Sequence, residues 1–120
     1  MLFRSQSTAG QQLDFGVLLT TGPKQTDASA TNSTSVDQTA GSSAGAVGYL
    51  QAVSIGSGTA TVKIQSSTNN STWSDLITFT AVTAQTSERV AVTGTVNRYV
   101  RVITTGTFTN LVFVAGFARL

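Results

Sequence analysis

Carboxylates are the residues of this sequence that come nearest to catalytic chemistry. The chain has 120 residues and contains no histidine and no cysteine, which removes the commonest general base, the thiol nucleophile and the usual zinc ligands. A glycosidase needs two carboxylates that flank the bond it cleaves, and a calcium loop needs closely spaced acids. The acids here are few and far apart: Asp14, Asp27, Asp37, Asp75 and Glu88.

Asp75 and Glu88 are the two acids that could meet as a pair in the folded chain. Both lie at predicted strand ends in turn-rich surroundings, where acids are usually solvated surface groups. We therefore expect a protein that is not an enzyme, with no catalytic residue, no metal site and no cofactor.

Five aromatic and basic residues are candidates for ligand binding. An aromatic ring can stack on a sugar ring, and an arginine beside a tyrosine can stack or pair at the surface of a strand. Packing in the core or over a hairpin is the commoner fate of an aromatic residue on a strand, so both interpretations stay open. The candidates are Trp73, Tyr49, Tyr99, Arg98 and Arg101.

The remaining composition argues against two classes of partner. The seven basic residues are scattered singly and form no stripe that could follow a phosphate backbone, so we expect no nucleic-acid binding. No apolar run approaches the length that a membrane helix needs, so we expect no membrane partner. Residues 1–6 lack the apolar stretch of a secretory signal.

Alternating apolar and polar residues predict a series of short strands. Ala60, Val62 and Ile64 alternate with polar neighbours, and an Asn-rich turn at 68–72 precedes Trp73. Thr and Val favour strands, Gly and Ser favour turns, and no window has helical periodicity. The spacing of strands and turn signals predicts an all-β fold, an antiparallel β-sandwich of the jelly-roll or galactose-binding-like type.

The same alternation predicts which side chains fill the core. A residue that faces inward recurs at every second position of a strand. The side chains expected to be largely buried are Val53, Val62, Ile64, Leu76, Phe79, Val90, Val92, Val100, Val102, Val112 and Val114.

Composition divides the chain into three segments. Residues 1–20 contain one alternating apolar stretch, 13–19, which predicts a single strand. Residues 21–46 are polar and low in complexity, which predicts a linker or a long surface loop. Residues 47–120 carry enough alternating strands to close a sandwich and are predicted to form the β-sandwich module.

The first residues allow two interpretations. The peptide Leu2-Phe3-Arg4-Ser5 is what a common sequencing-adaptor end encodes, so residues 1–6 are either an artefact or an ordinary start. On the first interpretation they are excluded from reasoning about the fold, and the chain is the C-terminal piece of a longer protein.

Two patches resemble discoidin-like, galactose-binding-like jelly rolls. Residues 62–76 read as a strand, an Asn turn and then Trp73, and residues 94–102 contain Arg98-Tyr99-Val100-Arg101. This resemblance covers part of the chain and implies a carbohydrate-binding module.

A broader resemblance covers nearly all of the chain. Segments 16–19, 30–37, 45–51, 62–76, 88–101 and 116–119 resemble an Ig-like or discoidin-like β-sandwich module of tailed-phage virion proteins, where it is appended to a tail-tube-type domain or decorates the particle. The resemblance implies a virion location and other virion proteins as partners. It also implies a homo-oligomeric assembly formed through an N-terminal domain that is missing from this sequence.

The function predicted from the sequence is a non-enzymatic phage virion structural or decoration module, expected as the C-terminal appendage of a tail protein. One alternative is a carbohydrate-binding module of the discoidin-like type with a host-surface glycan as its partner. The other is a bacterial surface adhesin domain.

Overall fold

The protein is a sandwich of two antiparallel β-sheets. The computed structural model describes residues 17–20 and 25–120, and none of these is helical, so this part of the chain holds no helix that could cross a membrane. The predicted all-β sandwich is confirmed. The strands are β1 (Val17–Leu18), β2 (Gln25–Asp27), β3 (Val36–Asp37), β4 (Ala46–Ser54), β5 (Ser57–Ser67), β6 (Ser74–Thr78), β7 (Thr86–Val92), β8 (Tyr99–Thr109) and β9 (Leu111–Arg119).

The strands pair in a nested order that defines a jelly roll. β2 pairs with β9, β3 with β8, β4 with β7 and β5 with β6, all antiparallel. Rolling this long hairpin brings β4 beside β9 and β5 beside β8, which is how a jelly roll forms its two sheets. Sheet 1 has the order β1-β9-β4-β7 with β2 also paired to β9, and sheet 2 has the order β3-β8-β5-β6.

The two segments that precede residue 47 contribute strands to both sheets. Of the predicted 13–19 strand, residues 13–16 lie outside the described residues, and β1 pairs with β9. Within the polar segment 21–46, β2 pairs with β9 and β3 pairs with β8. Isolated bridges join Asn32 to Ile103 and Ser42 to Val96. The described part of the polar segment therefore lies along the sheets and is hydrogen-bonded to them.

The core lies between the sheets and is centred on the β5–β8 pair. These strands are paired along their whole length, with Ile64 opposite Val102. Val62, Ile64, Val100 and Val102 are fully buried and Phe79 is nearly so, which confirms these five predictions. β-Branched side chains suit this position because they pack well on a pleated surface.

The predicted face of β9 is wrong. Val112 and Val114 are only half-buried, whereas the alternate residues Leu111, Phe113 and Phe117 are fully buried. The two phenylalanines decide the orientation, because a buried Phe removes more apolar surface from water than a Val does. Since side chains alternate along a strand, this choice turns both valines to the outer face of sheet 1.

The other predicted core residues are only partly buried. A bulge shifts the register between β5 and β6, and Ile77 enters the core while Leu76 is left half-buried. Val53 is also half-buried. Val90 and Val92 lie on the edge strand β7 and pack against the core from there.

Gly48 allows the two sheets to approach closely. It lies on β4, and a Cβ atom added there would be 2.8 Å from Ile77 Cδ1 and 2.9 Å from Ile64 Cδ1. A larger residue would push these side chains of sheet 2 away. The missing side chain therefore sets the thickness of the core at this point, a usual role of glycine inside a strand.

A buried carboxylate links the two sheets. Asp27 on β2 is 4 % exposed, and its Oδ2 accepts a hydrogen bond of 2.7 Å from the Thr104 hydroxyl on β8. Its Oδ1 accepts one of 2.8 Å from the Gln25 amide, and the Thr31 backbone N–H donates to Thr104 Oγ1 at 3.0 Å. A buried polar group is stable where it is hydrogen-bonded, and these bonds fasten the polar segment to both sheets.

Arg119 ties the last strand to two loops. Its guanidinium donates to the Gln38 side chain at 2.5 Å and to the Ser42 hydroxyl at 3.0 Å. It also donates to the carbonyl oxygens of Val96, at 2.9 Å, and of Asn97. Partial burial lowers the pKa of Arg119, but a guanidinium stays protonated in proteins. These charge-assisted bonds connect sheet 1 to the loops that flank sheet 2.

Truncation of Ile64 should test the assignment of the inner face. We expect Ile64→Ala to lower the free energy of unfolding by about 2–5 kcal/mol, because it removes a fully buried side chain and leaves a cavity. Val112→Ala is the control, and it should cost clearly less because Val112 is half-buried on the outer face. Urea denaturation of both variants measures the difference, and equal losses would contradict the assigned faces.

Gly45 and Gly94 have similar φ angles but different surroundings. Alanine variants at these positions therefore distinguish the cost of backbone strain from the cost of a steric clash. Gly45 and Gly94 have φ of 88° and 94°, but a Cβ at Gly45 would lie 2.1 Å from the Val92 carbonyl oxygen, whereas nothing lies within 4 Å of one at Gly94. Both alanine variants should lose about 1–2 kcal/mol to the left-handed conformation. Gly45→Ala should lose more, because the backbone of β7 must also move. Matching urea midpoints for the two variants would count against this description.

Candidate functional site

Four of the five predicted binding residues lie on one side of the sandwich. Tyr99 and Arg101 are alternate residues of β8 and therefore share its outer face. Arg98 directly precedes β8, and Trp73 directly precedes β6. Tyr49 lies on β4, on the outer face of sheet 1. The structure thus brings four of the candidates to sheet 2 and separates Tyr49 from them.

An Asn turn places Trp73 beside the outer face of sheet 2. The Asn69 Oδ1 accepts hydrogen bonds of 2.9 Å from the backbone N–H groups of Ser71 and Thr72, the pattern of an Asx turn. Asn70 has a φ of 61°, a left-handed conformation that Asn tolerates better than most residues. The chain reverses here between β5 and β6 and delivers Trp73 to the surface of the sheet.

Arg101 stacks on Trp73 and is held there by Gln65. The guanidinium carbon of Arg101 is 4.3 Å from the centroid of the Trp73 ring, within the range of a cation–π contact. The Gln65 Oε1 accepts hydrogen bonds from Arg101 Nε at 3.0 Å and Nη2 at 2.8 Å. All three side chains are half-buried. Partial burial lowers the pKa of Arg101 without removing its charge.

Hydrogen bonds continue from Arg101 across β8, β5 and β6. The Gln65 Nε2 donates to Asp75 Oδ1 at 2.8 Å, and the Lys63 Nζ donates to Asp75 Oδ2 at 3.1 Å. Both bonds lower the pKa of Asp75, and the bond from Gln65 has the larger effect. The carboxylate is therefore ionised at neutral pH. We call Lys63, Asp75, Gln65, Arg101 and Trp73 the polar ladder.

Arg98 is occupied by an ion pair. Its Nε and Nη2 donate to the two carboxylate oxygens of Asp37 at 2.7 and 2.8 Å, and its guanidinium carbon is 5.0 Å from the centroid of the Tyr99 ring. Hydrogen bonds from Arg98 and from the Thr39 backbone N–H lower the pKa of Asp37 to about 2. This bidentate pair joins β3 to the start of β8.

Asp75 and Glu88 accept hydrogen bonds from different partners. Asp75 belongs to the polar ladder, whereas the two oxygens of Glu88 accept from the Thr80 backbone N–H at 2.8 Å and from its hydroxyl at 3.1 Å. Within residues 17–20 and 25–120, no three His, Cys, Asp or Glu side chains are grouped so that they could hold a metal ion. Asp14 lies outside the described residues.

A shallow groove crosses the outer face of sheet 1 beside Tyr49. It has a volume of about 520 Å³, and its lining includes Leu18, Val114 and Gly116. Tyr49 is the cross-strand partner of Gly116 on β9 and of Arg89 on β7. The position of its aromatic ring is therefore flanked by a glycine on one side and by the cationic Arg89 on the other. This groove and the polar ladder lie on opposite sides of the sandwich.

Three members of the polar ladder, Lys63, Gln65 and Asp75, were not predicted as ligand-binding residues. A signal for Lys63 and Gln65 was present, because both alternate with buried residues of β5 and must face outward. Asp75 could not be assigned, since its place opposite Gln65 depends on the bulge between β5 and β6.

The fold defines a class of protein, the small jelly-roll β-sandwich. The chain is similar to a solved structure described as the crystal structure of PirA, with a TM-score of 0.50 and 11% sequence identity. The alignment covers 82% of this chain and 95% of that chain. No family model and no curated protein matches the chain. At this identity the likeness to PirA shows the fold alone, and the phage resemblance stays a prediction.

Acid should weaken the ion pair between Asp37 and Arg98. The folded-state pKa of Asp37, about 2, lies below its ordinary value of 3.8. A depressed carboxylate pKa contributes stability that is present above the unfolded value and is lost as the pH falls from about 4 through about 2. We expect the melting temperature of Asp37→Asn to fall less than that of the wild type over this interval.

Thermal melts followed by circular dichroism at pH 7, 4, 3 and 2 would measure this difference. Ser87→Ala on β7 is the control, because it removes an exposed hydroxyl and no charge, and it should keep the wild-type pH dependence. If the melting temperatures of Asp37→Asn and the wild type fell equally with pH, the ion pair would not contribute to the acid sensitivity of the protein.

Proposed function

We propose that this protein is a non-enzymatic structural or decoration module of a tailed-phage virion, carried as the C-terminal appendage of a tail protein. The observation that supports the proposal most directly is the use of charged side chains to tie strands and loops together. These ties are Asp27 with Thr104, Asp37 with Arg98, Lys63 with Asp75, and Arg119 with the loops at Ser42 and Val96.

The jelly-roll fold agrees with this role but does not decide it. Jelly rolls occur in viral capsid domains and also in lectins, and one fold hosts many functions. The sequence resemblance, which extends over nearly all of the chain, favours the virion among these uses.

One edge of sheet 2 suits an appendage better than a polymerising subunit. The strand at this edge is β3, which has only two residues. Short edge strands limit the pairing of one sheet with the next chain. A domain of this kind can be displayed on a particle without joining its neighbours edge to edge.

Deleting this module from the gene of its parent phage tests the proposal. Particles that lack the module should still assemble with normal tails in electron micrographs, whereas wild-type particles should contain its peptides in mass spectra. Absence of these peptides from purified wild-type virions would contradict the virion location. Failure of the deletion particles to assemble, or tubes formed by the purified protein, would contradict the appendage role.

The purified protein should release no reducing ends from polysaccharides. Its described acids, Asp27, Asp37, Asp75 and Glu88, accept hydrogen bonds from other protein groups, and a hydrolase needs two carboxylates placed across the scissile bond. Asp75→Asn and Glu88→Gln are the variants that decide the matter. Any turnover that is present in the wild type and disappears in either variant would show that the protein is an enzyme.

A further inference from the structure

We propose that the polar ladder on sheet 2 is a binding site for glycans that carry a carboxylate, with Arg101 as the anion-binding group and Trp73 as the ring-stacking group. This inference goes beyond the proposed structural role, because it assigns a ligand to one outer face of the module. It does not depend on whether the module belongs to a virion.

Among the described cationic side chains on the outer face of sheet 2, Arg101 is the one without a salt bridge to a carboxylate. Lys63 pairs with Asp75 at 3.1 Å, and Arg98 pairs with Asp37 at 2.7 Å. Among the described residues no carboxylate forms a salt bridge with Arg101, whose hydrogen bonds go to the neutral Gln65 amide. A single surplus positive charge matches a singly charged carboxylate.

Arg101 is held in the geometry that bidentate recognition needs. The Gln65 Oε1 takes the Nε and Nη2 side of the guanidinium, and the Trp73 ring supports its flat face at 4.3 Å. In the described part of the chain Nη1 donates no hydrogen bond, so the end formed by Nη1 and Nη2 keeps donors for a ligand. A planar fork of donors suits a planar carboxylate, and a guanidinium already fixed in place loses little freedom when the ligand binds.

The surroundings of Arg101 fit a sugar better than a bare anion. Trp73 is half-buried, and the part of its ring that Arg101 does not cover offers apolar surface for the C–H face of a sugar. Asp75 and Lys63 are partly exposed, with 48% and 27% of their side-chain surfaces accessible, so they can accept from and donate to hydroxyl groups. Aromatic surface beside a few fixed polar groups is the common composition of small-ligand sites.

The opposite face of the sandwich provides matched controls. Tyr49 and Arg89 are cross-strand neighbours on sheet 1, so they offer an aromatic ring and a cation of the same types. They lie on the far side of the core from the polar ladder. Their substitution should therefore leave binding at the polar ladder unchanged.

The experiment measures binding of the full chain to a panel of oligosaccharides that contain uronate or sialate residues. Each glycan is paired with its carboxylate methyl ester, which keeps the sugar and removes the charge. A sulfated carrageenan fragment, which has sulfate groups and no carboxylate, is included. Calorimetric titration should show that at least one free acid binds about tenfold or more tightly than its ester, as expected for hydrogen bonds to a charged group.

Substitutions then locate the site. Arg101→Gln should remove the preference for the free acid, and Arg101→Lys should restore part of it, because lysine keeps the charge and loses the fork. Trp73→Ala should weaken binding about two- to tenfold. Tyr49→Ala and Arg89→Gln should bind like the wild type. Circular dichroism and melting temperatures of all variants show that each is folded at the titration temperature.

Three results would overturn the proposal. The first is that no carboxylated glycan of the panel binds. The second is that ester and acid bind equally well, or that the sulfated carrageenan fragment binds better than every carboxylated glycan, since either would remove the role of a carboxylate. The third is that the control variants on sheet 1 lose as much affinity as Arg101→Gln and Trp73→Ala, which would place binding elsewhere.

Discussion

The pairing of β5 with β8 is the constraint on which both the core and the polar surface depend. The inner side of this pair places Ile64 opposite Val102 in the centre of the core, and its outer side places Gln65 opposite Arg101. One register sets both faces, because side chains alternate along each strand. A slip of one residue would expose the core and bury the charged groups. Stability and surface chemistry are therefore fixed by the same backbone hydrogen bonds.

The sequence predicted the fold class and much of β5 because its residues alternate cleanly between apolar and polar types. It failed on β9, where residues 111–118 are all apolar or glycine, so the period of two could not tell the inner face from the outer face. The place of Asp27 was also beyond prediction. A polar segment of low complexity does not reveal which strand it pairs with, and the partners of Asp27 are set by the rolled topology.

The candidate site was predicted in part for the same reason. Trp73 and Arg101 were recognisable by residue type, but β5 lies between their strands, and only the strand order of sheet 2 brings them together. Tyr49 is also an aromatic residue that could stack on a sugar, yet its strand belongs to the other sheet. Residue type therefore predicts what a side chain could bind, whereas sheet membership decides which side chains can act together.

The nested order of strand pairing has a consequence for how the chain reaches its native state. β5 and β6 are close in sequence and can form a hairpin early, whereas β2 and β9 come from distant parts of the chain. Closing long loops costs conformational entropy, and folds dominated by distant pairings fold slowly. We therefore expect the β5–β6 hairpin to form before β2 pairs with β9. The contacts of Asp27 and Arg119, which join distant parts of the chain, are expected to form late.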